Sequence, residues 1–85
     1  MTSKDRAYLR SLATNIDPIF QIGKGGLSDN LIKQVDDALE ARELIKITVL
    51  ENAQENPDEF AAALASKTNS SVVQVMGRKI TLYRK

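Results

Sequence analysis

The stretch "PIFQIGKGGLSDN", residues 18 to 30, holds three of the four glycines of this 85-residue chain. It begins as a short strand that points Phe20 and Ile22 to the same side. The segment "GKGG", residues 23 to 26, follows at once and predicts a sharp turn. Ser28 is then a good N-cap for a helix. The stretch therefore predicts a strand, a glycine turn and a helix in succession.

The rest of the chain continues this alternation of helices and strands. Ser3 and Asn56 are predicted to cap the first and third helices, with Pro57 at the first position of the third. Gly77 and Arg78 predict a tight turn between two strands at the C-terminal end of the sequence. In these strands Val73, Val75, Ile80 and Leu82 are expected to face inward. The predicted helices cover roughly residues 4 to 14, 29 to 42 and 57 to 68, and the other strands cover residues 43 to 50 and 72 to 84. The order is α-β-α-β-α-β-β.

The strand pattern predicts how the layers stack. Each strand has one apolar and one largely polar face, and the polar faces carry Lys46, Thr48, Gln74 and Thr81. Helices are therefore expected on one side of the sheet only, as a two-layer sandwich of the α/β (α+β) class. The strand-helix-strand units need right-handed crossovers between parallel strands, and the hairpin adds an antiparallel strand. We expect one domain, residues 1 to 85, with a four-stranded mixed sheet.

Composition excludes several classes of function. The chain has 42% apolar and 27% charged residues, which is typical of a globular protein that folds alone. It has no histidine and no cysteine, so the commonest metal ligands, general base and thiolate nucleophile are missing. We expect no enzyme activity, no cofactor and no metal. Because the sequence holds neither a membrane-spanning run nor the apolar segment of a secretion signal, we expect a cytoplasmic protein.

The glycine segment resembles three phosphate-binding motifs, of which two do not fit. A Walker-type loop would need glycine where Pro18 stands and Ser or Thr where Gly25 stands. A dinucleotide-binding fingerprint would need glycine in place of Ser28. The GxxG loop of RNA-binding modules fits residues 23 to 26, because glycines let a sugar-phosphate backbone approach the main chain. A tight turn that needs glycine for steric reasons alone stays open as the other interpretation.

Two long segments carry a resemblance to a known family. They are "LATNIDPIFQIGKGGLSDNLIKQVDDALEARELIKI", residues 12 to 47, and "VVQVMGRKITLYR", residues 72 to 84. Together they resemble the stand-alone bacterial form of the CRM domain, the YhbY-like family. The resemblance implies a fold similar to the C-terminal domain of translation initiation factor three, with strand order 1-2-4-3. It also implies a cytoplasmic protein without enzyme activity that binds ribosomal RNA in precursors of the large ribosomal subunit.

The resemblance also assigns candidate RNA-binding residues. The GxxG loop falls on Gly23, Lys24, Gly25 and Gly26, and the basic first helix supplies Lys4, Arg6 and Arg10. Arg42 and Arg84 lie in family-like segments, where an RNA-binding and a structural role are both open. From its position one turn into the second helix, we add Lys33 as a phosphate contact. Net charge is only +1, so binding depends on local charge.

Base recognition is expected to be weak, and a second class of function stays open. Among the aromatic residues, only Tyr83 falls on the open sheet face by alternation, so few bases could stack there. The alternative is a protein–protein adaptor that uses the open sheet face or the acidic end of the second helix at Asp36, Asp37 and Glu40. Neither interpretation involves a membrane or a small-molecule substrate, and we expect a monomer.

Overall fold

The computed structural model describes residues 1 to 85 and contains three helices and four strands in the expected order. They are α1 (Ser3–Ala13), β1 (Phe20–Ile22), α2 (Asp29–Arg42), β2 (Leu44–Val49), α3 (Pro57–Thr68), β3 (Ser71–Met76) and β4 (Lys79–Tyr83). The strands form one mixed sheet in the order β1-β2-β4-β3, in which only β1 and β2 pair in parallel. The class, element order and strand order are confirmed. None of the helices is long and apolar enough to cross a membrane.

The helix caps agree with the sequence at two of three positions. Ser28 and Asn56 cap α2 and α3 through their side-chain oxygens. The first helix is capped by Thr2 instead of Ser3: the Thr2 hydroxyl accepts from the Asp5 amide at 3.1 Å, and the Asp5 carboxylate accepts from the Thr2 amide at 3.4 Å. This reciprocal pair needs an acceptor three residues after the cap. A cap at Ser3 would place a guanidinium there, which only donates.

The main core lies between the sheet and the pair α2 and α3. The β1-α2-β2 and β2-α3-β3 connections move in the same direction across the sheet, so right-handed crossovers put both helices on one face. Eleven buried residues form this core: Ile22, Val35, Leu39, Ile45, Ile47, Val49, Phe60, Ala61, Leu64, Ile80 and Leu82. The apolar alternation expected for the second strand is confirmed, because Ile45, Ile47 and Val49 are all buried.

The first helix does not share that face. Leu9 and Ala13 of α1 are buried, yet they lie outside the main core, and α1 contacts β2 and β3. Thr81 is only 1% exposed, although alternation along β4 turns it away from the core. The sequence predicts helices on one face of the sheet only. This holds for α2 and α3, whereas α1 packs on the opposite face, which we call the second face. Threonine counts as polar in a pattern of apolar and polar residues, although it tolerates burial. The pattern therefore did not indicate that a helix covers Thr81.

A β-bulge in β3 also changes which residues of this strand face the main core. The pairing with β4 slips by one residue between Val72 and Gln74. As a result Val72, and not Val73, pairs with Leu82 and packs against the main core. Val73 is buried outside that core. Alternation alone had assigned Val73 to the inner face, and one inserted residue reverses that assignment.

The strand directions give the sheet two distinct ends. The glycine segment, the connection after β2 and the turn at Gly77 and Arg78 all lie where β1, β2 and β3 finish, which we call the loop end. At the other end, which we call the far end, β2 and β3 begin, β4 finishes, and α2 and α3 finish. The candidate residues divide between these two ends.

Candidate nucleic-acid interface

The glycine segment forms a tight turn at the loop end. The Gly26 amide donates to the Gly23 carbonyl at 3.0 Å, so Lys24 and Gly25 occupy the two central positions. Both central residues are exposed, whereas Gly23 and Gly26 are half-buried. Ser28 begins α2 two residues later. The turn therefore presents a lysine side chain and a bare stretch of main chain to solvent.

The three glycines have different structural requirements. Gly26 has a φ of +64°, a conformation that strains any residue with a Cβ. A Cβ on Gly23 would lie 3.4 Å from Cδ1 of Leu50, in ordinary contact. Gly25 has no positive φ, and a Cβ there would meet nothing within 4 Å. The fold thus explains glycine at position 26 and gives no reason for glycine at position 25.

Replacing Gly26 by alanine is expected to lower the free energy of unfolding by about 1–2 kcal/mol, because alanine must adopt the left-handed conformation. Urea denaturation followed by circular dichroism measures the change. Gly25→Ala is the matched control, and its stability should stay within about 0.5 kcal/mol of the wild type. Equal stability of the two variants would contradict the assignment of the turn to Gly26.

Arg78 adds a fixed positive charge beside the glycine turn. Its Nε donates to the Val49 carbonyl at 2.7 Å, and its Nη2 donates to the Leu50 carbonyl. The Leu50 amide in turn donates to the Ile22 carbonyl at 2.8 Å, immediately before the turn. Arg78 forms no ion pair, so its charge is not neutralised. Sequence reasoning assigned Arg78 to a turn only, since nothing local indicates that its side chain reaches β2.

The cleft between the glycine turn and α3 has mixed charge. It measures about 360 Å³, and Lys24 and Gly25 line one side of it. Lys67 and Glu55 line it as well. Sequence reasoning missed Lys67, because it lies at the end of α3, far along the chain from the glycines. The carboxylate of Glu55 makes this side of the turn less favourable to a phosphate than its lysines suggest.

Lys33 lies on α2 at the loop end. Its ammonium is 3.6 Å from the Asp37 carboxylate, and the two side chains are 75% and 67% exposed. An exposed i,i+4 pair of this kind is weak and is screened by salt. Lys33 can therefore exchange Asp37 for another anion at little cost.

The basic residues of α1 lie away from the glycine turn. Lys4, Arg6 and Arg10 are exposed and form no ion pair, but α1 crosses the second face near the far end. Asp5 and Tyr8 line a cleft with Arg84 at that end. Arg6 is about 160° around the helix from Tyr8, and Arg10 is on the same flank as Arg6. These two arginines thus lie on the flank of α1 that is turned away from the far-end cleft.

Arg42 and Arg84 both lie at the far end but in different environments. Arg42 is exposed and makes no hydrogen bond or ion pair through its side chain. Arg84 is 19% exposed and donates to the Asp36 carboxylate at 2.6 Å, the Thr68 carbonyl at 2.7 Å and the Asp36 carbonyl at 2.9 Å. Its guanidinium is also 3.6 Å from the Glu40 carboxylate. The structure gives Arg84 a role in joining α2, α3 and the end of β4.

Tyr83 does not lie on an open platform. It is half-buried and lines the same cleft as Tyr8 and Leu9 of α1. Tyr83 therefore lies at a cleft beside α1 and not on an open sheet face. The expectation of weak base recognition rests on the scarcity of aromatic side chains on that face.

Known proteins resemble the chain over nearly its whole length. The model of the CRS1 / YhbY (CRM) domain matches residues 1 to 84. "Probable RNA-binding protein YqeI" of Bacillus subtilis is 50% identical over 84 residues, which are 99% of this chain and 88% of that protein. A Haemophilus influenzae protein named "RNA-binding protein" is 29% identical over 99% of this chain and 85% of its own length.

A solved structure has the same fold. The solution structure of the hypothetical protein SAV1595 from Staphylococcus aureus superposes with a TM-score of 0.85 at 56% identity, covering 100% of this chain and 88% of that one. The family match, the relatives and the shared fold agree. The chain belongs to the CRS1/YhbY (CRM) domain family.

Proposed function

We propose that this protein binds ribosomal RNA through its glycine turn and nearby basic residues, associates with precursors of the large ribosomal subunit and aids their assembly. One observation carries the proposal: Gly25 is exposed at the tip of the turn, and the fold itself does not require glycine there. A bare main chain beside Lys24 suits a sugar-phosphate backbone. The relatives named as RNA-binding proteins support the same reading.

Each candidate residue has a separate part in this proposal. Gly26 sets the turn, Gly23 and Gly25 leave room for the RNA backbone, and Lys24 contacts a phosphate. Lys33 supplies a second phosphate contact when it leaves Asp37. Lys4, Arg6, Arg10 and Arg42 add positive charge at the far end, away from the turn. We leave Arg84 out of the proposed surface, because its guanidinium is already bonded to protein.

The proposal predicts a moderate dependence on salt. If about three to five phosphates are neutralised, log affinity should fall against log salt concentration with a slope of about −2 to −4. Fluorescence anisotropy titrations of a labelled large-subunit RNA fragment at several potassium chloride concentrations measure this slope. A slope near zero would contradict binding through phosphates.

Crosslinking in cells, followed by sequencing of the attached RNA, tests the choice of RNA. We expect large-subunit ribosomal RNA to be enriched over messenger and transfer RNA, and the cytoplasmic protein to sediment with subunit precursors. Lys24→Glu should lower the recovery of this RNA, because it reverses the charge at the tip of the turn. Enrichment of another RNA class, with no co-sedimentation, would overturn the proposed role in assembly.

The adaptor alternative has less support at one of its two surfaces. Asp36 and Glu40 face the guanidinium of Arg84, and Asp37 faces Lys33, so the acidic end of α2 is largely neutralised within the chain. The variants Lys24→Glu and Gly25→Asp separate the two functions. Unchanged association with ribosome precursors in both variants would favour the adaptor.

A further inference from the structure

The part of the second sheet face that α1 does not cover forms a shallow cleft of about 300 Å³. We call it the uncovered sheet face; it is lined by Lys46, Thr48, Gln74, Met76, Gly77, Arg78, Lys79 and Thr81. The pairing of β2 with β4 places Lys46 opposite Thr81 and Thr48 opposite Lys79. Lys46 is thereby gathered on one surface with Arg78 and Lys79, which are adjacent to each other and distant from Lys46 in sequence.

No acidic side chain lines the uncovered sheet face, and none of its three cations takes part in an ion pair. Arg6 and Arg10 lie on the flank of α1 opposite Tyr8, which lines the far-end cleft, and they too have no ion-pair partner. In a chain with net charge +1, three unneutralised cations lining one cleft are a marked local excess. Such a surface attracts a polyanion.

The other side of the loop end has mixed charge, because Lys24 and Lys67 line its cleft together with an acidic residue. Glu55 lines the cleft between the glycine turn and α3, and Asp58 and Glu59 occupy the first turn of α3. Their charges repel phosphates over roughly a Debye length, about 8–10 Å at physiological salt. A strand that passes through the glycine turn is therefore attracted less strongly on the α3 side than on the uncovered sheet face.

Arg78 connects the two surfaces. Its backbone lies in the β3–β4 turn that borders the uncovered sheet face, and its guanidinium holds the carbonyls of Val49 and Leu50. The Leu50 amide donates to the carbonyl of Ile22, the residue before Gly23. The glycine turn and the uncovered sheet face are thus neighbours at the loop end.

We propose that an RNA strand held by the glycine turn continues over the β3–β4 turn onto the uncovered sheet face, an inference that rests on the function proposed above. Lys46, Arg78 and Lys79 contact its phosphates. Thr48 and Gln74 supply neutral donors for sugar and phosphate oxygens. Because no aromatic side chain lines the face, it holds the backbone without reading bases.

Charge variants test this path. Lys46→Gln and Lys79→Gln should each weaken binding of a short single-stranded RNA about fivefold, and each should reduce the salt slope by about 1. The loss should be the same for RNAs of different sequence. Lys85→Gln removes an equal charge from an exposed lysine at the far end, and it should leave affinity and slope unchanged. Equal behaviour of Lys79→Gln and Lys85→Gln would overturn the inference.

Titration of the ¹⁵N-labelled wild type with the same RNA separates the inference from the function on which it rests. We expect amide shifts at Lys24 and Gly25 and also at Thr48, Gln74 and Lys79. Shifts confined to the glycine turn, α2 and α3 would overturn the path over the sheet while leaving the glycine turn as an RNA site. Absence of shifts at the turn would refute both proposals.

Discussion

Replacing Gly25 by aspartate is expected to weaken RNA binding about 10- to 100-fold while leaving the fold intact. A side chain at this position meets no other atom of the protein, and its backbone φ is not positive, so stability should be unchanged. The new carboxylate would stand where the proposal places the RNA backbone. Two like charges about 5 Å apart at an intermediate effective dielectric constant repel by roughly 1–3 kcal/mol, which corresponds to this loss.

Gly25→Asn separates the two contributions to that loss. Asparagine has almost the same size as aspartate and no charge, so it reports the cost of filling the space above the main chain. We expect its affinity to lie between those of the wild type and the aspartate variant. Titration of a large-subunit RNA fragment, with circular dichroism as the control for folding, measures all three proteins. Wild-type affinity in a folded Gly25→Asp variant would exclude the glycine turn as the RNA site.

The elements that could be predicted from the sequence are those specified by local chemistry. Ser28 and Asn56 have the side-chain acceptor that a helix start needs, and both cap helices at the expected residues. The alternation around Ile47 depends only on the geometry of one strand. Such signals need no knowledge of distant residues, which is why the order and bounds of the elements followed from them.

The features that sequence reasoning missed depend on contacts between distant segments. The burial of Thr81 indicates that α1 packs on the second face of the sheet. A pattern of apolar and polar residues counts threonine as polar, so it gave no sign of this packing. The bulge at Val73 changes which valine faces the core, and alternation has no means of detecting an inserted residue. Both are tertiary effects, so they altered the faces of the sheet without changing the order of its strands.

The candidate site divides in the same way. The glycine turn is local and was recognised, but the separate requirements of Gly25 and Gly26 depend on φ and on the surrounding space. Lys46 and Lys79 come together only through the pairing of β2 with β4. Arg84 and Asp36 are 48 residues apart, so no spacing rule could connect them. From the sequence, an RNA-binding role and a structural role were equally open for Arg84, and its hydrogen-bond partners distinguish the two.

Replacing Arg84 by leucine is expected to lower the free energy of unfolding by about 2–3 kcal/mol, which is about 10 to 20 °C in Tm for a domain of this size. The guanidinium is mostly buried and donates to one carboxylate and two carbonyls. Leucine fills part of the volume but leaves these acceptors, including the carbonyl of the buried Thr68, without their donor. Thermal unfolding followed by circular dichroism measures the change.

Arg42→Leu is the matched control, because it removes the same group from an exposed arginine at the same end of the sheet. Its stability should change by no more than about 0.5 kcal/mol. Arg84→Lys keeps the charge but lacks the planar fork, so it should recover only part of the lost stability. At a temperature where Arg84→Leu is folded, its RNA affinity should match that of the wild type. A stable Arg84→Leu variant with weakened RNA binding would return Arg84 to the RNA surface, because a residue held by Asp36 and Thr68 cannot be removed without loss of stability.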